Sequence, residues 1–220
     1  MPNLSLNGRD PVATYEYLSA DGKLLGYAAR YEKPEGGKEF RTWIVGPQGL
    51  ACKGFPKPRP LYGLQRLADS PNAPVIVTEG EKKVDALATT TTTYVPIAWP
   101  NGASNAKYAD WTQLAGRNVL LWPDRDDAGR KAMAEVAEIL LGLGCTVKVL
   151  QVQGTDGWDA ADAVAEGWGW QQIVTWAKGI VKTLEAPPAD VTPEGGAGFH
   201  GPHRRRCLCC HAIRARARRG

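Results

Sequence analysis

Apolar and polar positions along this chain follow two different rhythms. Over residues 14–45 the stretches "TYEYLS", "LLGYAARYE" and "EGGKEFRTWIV" alternate between the two types, the period of strands with one buried face. "ADGK" separates the first two, and its Asp21-Gly22 pair supplies the positive φ that a tight hairpin turn favours, so β hairpins are predicted. In "KGFPKPRPLYGLQRL", Pro56, Pro58 and Pro60 block both helix and central strand, which predicts an extended surface loop over 53–60. From residue 75 the rhythm changes. Short apolar runs at 75–78, 93–98, 118–122 and 146–152 read as strands buried on both faces. The segments between them, 81–89, 106–115 and 128–144, carry apolar residues at helical spacing, the last closing on Gly142 and Gly144. Strand and helix in alternation imply a parallel sheet with helices on its faces.

Composition narrows the picture. A chain of 220 residues with 43% hydrophobic and 23% charged residues falls in the globular range, as one ordinary domain or two small ones. No apolar run approaches the roughly 20 residues of a membrane span, and "MPNLSLNGRD" lacks the charged and apolar regions of a signal peptide, so a cytoplasmic protein without membrane contact is expected. The net charge of +4 belongs to the C-terminal end, where seven arginines and no acid follow residue 200, and the rest of the chain is net acidic. Periodicity stops near residue 185, and 185–220 is predicted to be a disordered basic tail. Its Cys207, Cys209, Cys210, His203 and His211 do not have the spacing of a zinc module. Its arginines would suit sequence-independent contact with nucleic acid.

The chemistry gathers after the strands, where ligands of an open parallel sheet bind. Glu79-Gly80 follows the first strand, Asp124, Asp126 and Asp127 follow the third, and Asp156, Asp159 and Asp162 follow the fourth. Acidic residues are common where a strand turns into a helix, because they cap the first turn. One cap does not account for three acidic strand ends. Carboxylates that converge repel one another and raise each other's pKa, and a hard divalent cation such as Mg2+ removes that cost. If the backbone is extended, Asp124 and Asp126 point one way and Arg125 the other. Asp127 has the position of an N-cap for a helix from Ala128, and Gly80 and Gly129 allow close approach to the backbone.

"VIVTEGEKKVDAL", "LLWPDRDDAGRKAM" and "GWDAADAV" together resemble the three acidic motifs of the Toprim domain, and "PRPLYGLQRL" resembles the segment that leads into Toprim in primases. The resemblance covers roughly residues 14–180 and is greatest to the primase core of phage and plasmid replication proteins. It implies an α/β Toprim fold, a Rossmann-like parallel sheet flanked by helices, preceded by a small β-rich subdomain. The expected boundaries are 1–72 for the β-rich part with its basic Pro-rich loop, 73–184 for Toprim and 185–220 for the tail.

By the same resemblance, Glu79, Asp124 and Asp126 are the expected catalytic residues, and with Asp159 and Asp162 the expected ligands of Mg2+ or Mn2+. Lys82, Lys83, Arg125, Arg130 and Lys131 are candidates for nucleotide phosphates. Arg41, Lys53, Lys57, Arg59 and Asn101 are candidates for nucleic-acid contact. The implied activity is synthesis of short RNA primers from ribonucleoside triphosphates on single-stranded DNA, with a replicative helicase as a possible partner. A Toprim nuclease, or a non-catalytic binding module or fragment of a larger primase-helicase, remains the alternative. The chain has no zinc-ribbon cysteines near its start and no Walker-type helicase motif.

Overall fold

A computed structural model of the chain describes residues 2–185, so nearly all of the expected tail, with its arginines and its Cys/His cluster, lies outside the described residues. The alternating stretches form an antiparallel meander, β1 (Ala13–Leu18), β2 (Leu24–Glu32), β3 (Lys38–Gly46) and β4 (Gly49–Cys52), paired in chain order. After the proline-rich loop comes a short helix, α1 (Leu64–Asp69).

The second sheet is built from β5 (Val75–Glu79), β6 (Val95–Trp99), β7 (Asn118–Leu121), β8 (Thr146–Leu150) and β9 (Val181–Leu184), in the order β6-β5-β7-β8-β9. The first four run parallel, and β9 closes the edge antiparallel to β8. Period-two alternation feeds a core on each face. Val75, Val77, Val119 and Leu121 point to the side of α3 (Asp127–Gly142), against Met133, Val136 and Leu140. Ile76 points to the opposite side with Trp122, Leu150 and Ile173. That second face carries α2 (Glu81–Ala88), α4 (Ala160–Ala165) and α5 (Trp170–Lys178). There Trp122, Trp158, Trp168 and Trp176 pack as one aromatic cluster, with ring centroids 5.2–6.3 Å apart.

Residues 106–115, expected as one helix, form parts of two 3-10 turns, Ala103–Tyr108 and Trp111–Leu114. The cause is a competing pairing. The Arg59 N–H donates to the Tyr108 carbonyl at 2.7 Å and the Asp110 N–H to the Arg59 carbonyl at 2.8 Å, which holds Ala109 extended. The Asp110 carboxylate then caps the second turn through the Thr112 N–H. Helix α3 starts one residue earlier than expected, at Asp127, so Asp126 rather than Asp127 is its N-cap. Both types cap well, and Asp126 wins because its Oδ1 accepts the Gly129 N–H at 2.7 Å. Asp127 sits exposed in the first turn and pairs with Arg130 at 2.6 Å.

The two sheets share a core. Tyr17 and Ala28 of the meander pack with Phe55 and Tyr62 of the connecting segment and with Val84 and Ala98 of the second layer. At its centre the Tyr17 hydroxyl donates to Glu81 Oε1 at 2.6 Å, with both residues buried. Tyr17→Phe would leave the Glu81 carboxyl buried without that donor and is expected to lower unfolding free energy by about 1–3 kcal/mol in a urea titration. Glu81→Gln keeps an acceptor for the hydroxyl and is expected to cost less. Equal costs for the two variants would refute this account of the bond.

Candidate active site at the sheet switch point

In this strand order the chain leaves β5 toward β6 on one side and later returns to place β7 on the other. The crevice between the carboxyl ends of β5 and β7 is therefore a topological switch point, where α/β sheets bind ligands. Glu79 is the last residue of β5, and Asp124 lies just beyond β7, past the buried Trp122 and Pro123. Sequence alone indicates which residues stand at strand ends, and the strand order brings these two ends side by side.

A tight turn follows Glu79. Gly80 adopts φ 84° and ψ 156°, a conformation that a side chain would strain, and α2 begins at the next residue. Lys83, in the first turn of α2, then points back into the crevice. Its Nζ donates to Asp124 Oδ2 at 2.6 Å and lies 3.4 Å from Asp159 Oδ2, and its side chain is only 12% exposed. Burial by itself lowers the Lys83 pKa, but the charges of Asp124, Asp159 and Glu79 outweigh it and raise the value overall. Asp159 is the N-cap of α4. Its Oδ1 accepts the Ala161 and Asp162 N–H groups at 2.7 and 3.1 Å, while Asp162 Oδ2 accepts the Asp159 N–H at 3.1 Å in a capping box. Asp162 thus holds Asp159 in place.

Positive charge is short in this crevice. Glu79 Oε1 and Asp124 Oδ1 are both buried without a hydrogen-bond partner. Burial, then the neighbouring Asp124, pushes the Glu79 carboxyl up to about 7. Burial also raises Asp124 to about 6, against the pull of Lys83. Two orphaned oxygens on destabilised carboxylates suit a hard divalent cation, which takes one or two carboxylates and fills its remaining positions with water and phosphate. Among the described residues no three His, Cys, Asp or Glu side chains form a complete ligand set by themselves. Gly129 completes the cradle, because a Cβ there would lie 2.7 Å from Glu79 Oε1 and 3.0 Å from Asp124 Cβ and N.

The basic candidates are spread more widely. Lys82 is exposed in the first turn of α2 and Lys131 at the start of the second turn of α3. Arg125 pairs with Asp156 at 3.3 Å and lies over the Trp158 ring, and Arg130 donates to the Gly154 carbonyl at 2.9 Å. These two arginines fasten the loop before α4 onto the start of α3. In the other group, Arg41 is exposed and bound to Glu39, and Lys53 is exposed. Lys57 stands 3.3 Å above the Tyr108 ring, and Arg59 donates to Asn105 at 2.7 Å. Asn101, at φ 70° just after β6, accepts a hydrogen bond from the Thr42 hydroxyl of β3 at 3.1 Å.

Sequence reasoning missed the residues that fix α2. Tyr17 binds Glu81, while Tyr62 and Arg66 bind Asp85 at 2.9 and 3.0 Å. The first of these partners lie 64 residues apart, so no local pattern marks them.

Raised carboxyl pKa values carry a definite sign. As pH rises from about 4 to about 7 the unfolded chain releases these protons before the folded one does, so the two groups progressively destabilise the fold. In a chelator, Glu79→Gln is expected to gain stability over wild type as pH rises through this window, reaching roughly 1–2 kcal/mol at pH 8. A difference that stays flat with pH in thermal unfolding would contradict this. Gly129→Ala gains about 1 kcal/mol of helix propensity yet displaces the Glu79 carboxylate. It is expected to fold with nearly unchanged stability and to bind Mn2+ at least tenfold more weakly in calorimetry.

Residues 76–163 match the Toprim-like family. No curated protein matches the chain by sequence. Among solved structures it is similar to a DNA primase domain from Pseudomonas aeruginosa, with 20% identity and a TM-score of 0.57 over 77% of this chain and 51% of that one. It is also similar to the zinc-binding and RNA polymerase domains of the Aquifex aeolicus primase, with 19% identity and a TM-score of 0.55 over 78% of this chain and 40% of that one. The DnaG primase catalytic domain bound to single-stranded DNA matches at 20% identity and a TM-score of 0.52, over 76% of this chain and 52% of that one. The chain thus spans about half the length of these proteins or less. Residues 76–163 are therefore Toprim-like, and the fold that they build with the meander is similar to that of primase catalytic cores.

Proposed function

We propose that the chain is a DNA primase-type nucleotidyltransferase of phage or plasmid replication, which joins ribonucleoside triphosphates into short RNA primers on single-stranded DNA. The observation that carries this reading is the pair of buried, orphaned carboxylate oxygens at the switch point of a primase-like fold. In this reading residues 1–72 form the template-facing part, 73–184 the catalytic domain and 185–220 a separate tail. Glu79 and Asp124 hold a Mg2+ or Mn2+ ion, with the Asp126 and Asp159 charges beside them and Asp162 positioning Asp159. Such an ion, when bound, neutralises triphosphate charge and steadies the leaving pyrophosphate.

The remaining roles fall to the chain's own side chains. Lys82 and Lys131, exposed near the starts of α2 and α3, attract the triphosphate. Arg125 and Arg130 hold the loop before α4 against α3 and so keep Asp159 at the crevice. Arg41, Lys53, Lys57 and Arg59 contact the template backbone, and Asn101 fixes the strand end nearest the meander. Phosphate contacts of this kind are sequence-independent and weaken with salt. A replicative helicase, on the same chain or another, is the natural partner of such a primase.

Primer synthesis from labelled ribonucleotides on single-stranded DNA with Mg2+ or Mn2+ tests the reading. Glu79→Gln and Asp124→Asn are expected to lose at least 100-fold in rate. Asp126→Asn, which keeps a good cap, separates the charge of Asp126 from its role in starting α3. Equal product from wild type and Asp124→Asn would refute the assignment, and degradation of the template in place of synthesis would favour a nuclease.

A further inference from the structure

The oxygens in the acidic crevice divide into two sets. Asp124 Oδ2 and Asp159 Oδ2 face the Lys83 ammonium, at 2.6 and 3.4 Å. Asp124 Oδ1 and Glu79 Oε1 face no donor. Asp124 therefore stands between a position already filled by a fixed positive charge and one that is not.

Lys83 is also not free to leave. Its side chain is 12% exposed. The helix that carries it is tied down on both sides of Lys83, at Glu81 by Tyr17 and at Asp85 by Tyr62 and Arg66. Swinging the ammonium out would leave the part-buried Asp124 and Asp159 with no counter-charge, which is costly.

We infer that Lys83 is a built-in monovalent cation of this site, taking the position between Asp124 and Asp159, so that the chain binds one divalent ion on the Glu79–Asp124 side. The inference rests on the proposed metal-dependent reading of the crevice and assigns the number of ions it takes. Lys83 in this role is a fixed part of the charge balance, and its ammonium is not available to swing to solvent for triphosphate capture.

Ion counting on the full chain tests this without reference to activity. Free Mn2+ is followed by its paramagnetic resonance signal during titration, with Mg2+ calorimetry as a second measure. Wild type and Lys83→Arg, which keeps the charge, are expected to bind one ion per chain. Lys83→Met removes the charge and is expected to bind two, with a melting temperature that becomes strongly dependent on Mn2+. Lys83→Gln serves the same purpose if the methionine variant does not fold. Two ions on wild type, or one on both wild type and the neutral variant, would overturn the role of Lys83 and leave a metal site standing. No binding by wild type, with Glu79→Gln indistinguishable from it, would overturn the metal reading as well.

Discussion

Like charges buried together need a counter-charge, and this constraint organises the second half of the molecule. Glu79, Asp124 and Asp159 come from three separate segments and meet at the carboxyl ends of β5 and β7. Burial disfavours the ionised forms of Glu79 and Asp124, and neighbouring carboxylates push both further up. Lys83 offsets part of that cost, the Gly129 N–H satisfies Asp126, and the start of α4 satisfies Asp159. The N-termini of α3 and α4 lie at the crevice, where their first-turn N–H groups favour the carboxylates that cap them.

The placement of Lys83 depends on the first half of the chain. Helix α2 has only eight residues, too short to be stable by itself. Its orientation comes from the Tyr17–Glu81 bond, from the Tyr62 and Arg66 contacts to Asp85, and from Val84 buried in the shared core. The meander thus contributes to the geometry of a crevice in which none of its own residues stands.

Much of this was legible in the residues. The apolar runs identify β5 to β8, and the acids that follow them mark the strand ends, because both signals are local. Three features were not. Whether Asp126 or Asp127 caps α3 depends on one residue of helix boundary, and either side chain satisfies the cap equally well in isolation. The break within 106–115 depends on backbone pairing with Arg59, nearly 50 residues earlier in the chain. The inward turn of Lys83 depends on β7 lying next to β5, which no periodicity encodes. A fourth feature, β9, is mostly exposed and only four residues long, so its apolar pattern is too weak to register.

The aromatic cluster of Tyr17, Phe55 and Tyr62 has a consequence for how the molecule is held together. The rings lie 4.9 and 5.2 Å from Tyr17, and one comes from the meander while two come from the connecting segment. Their surroundings include Val84 and Ala98, so neither sheet closes its apolar surface without the other. The two halves are consequently one cooperative unit rather than a parallel-sheet domain with an accessory attached. A lineage that exchanged the meander for another fold would have to rebuild the seat of α2 at the same time.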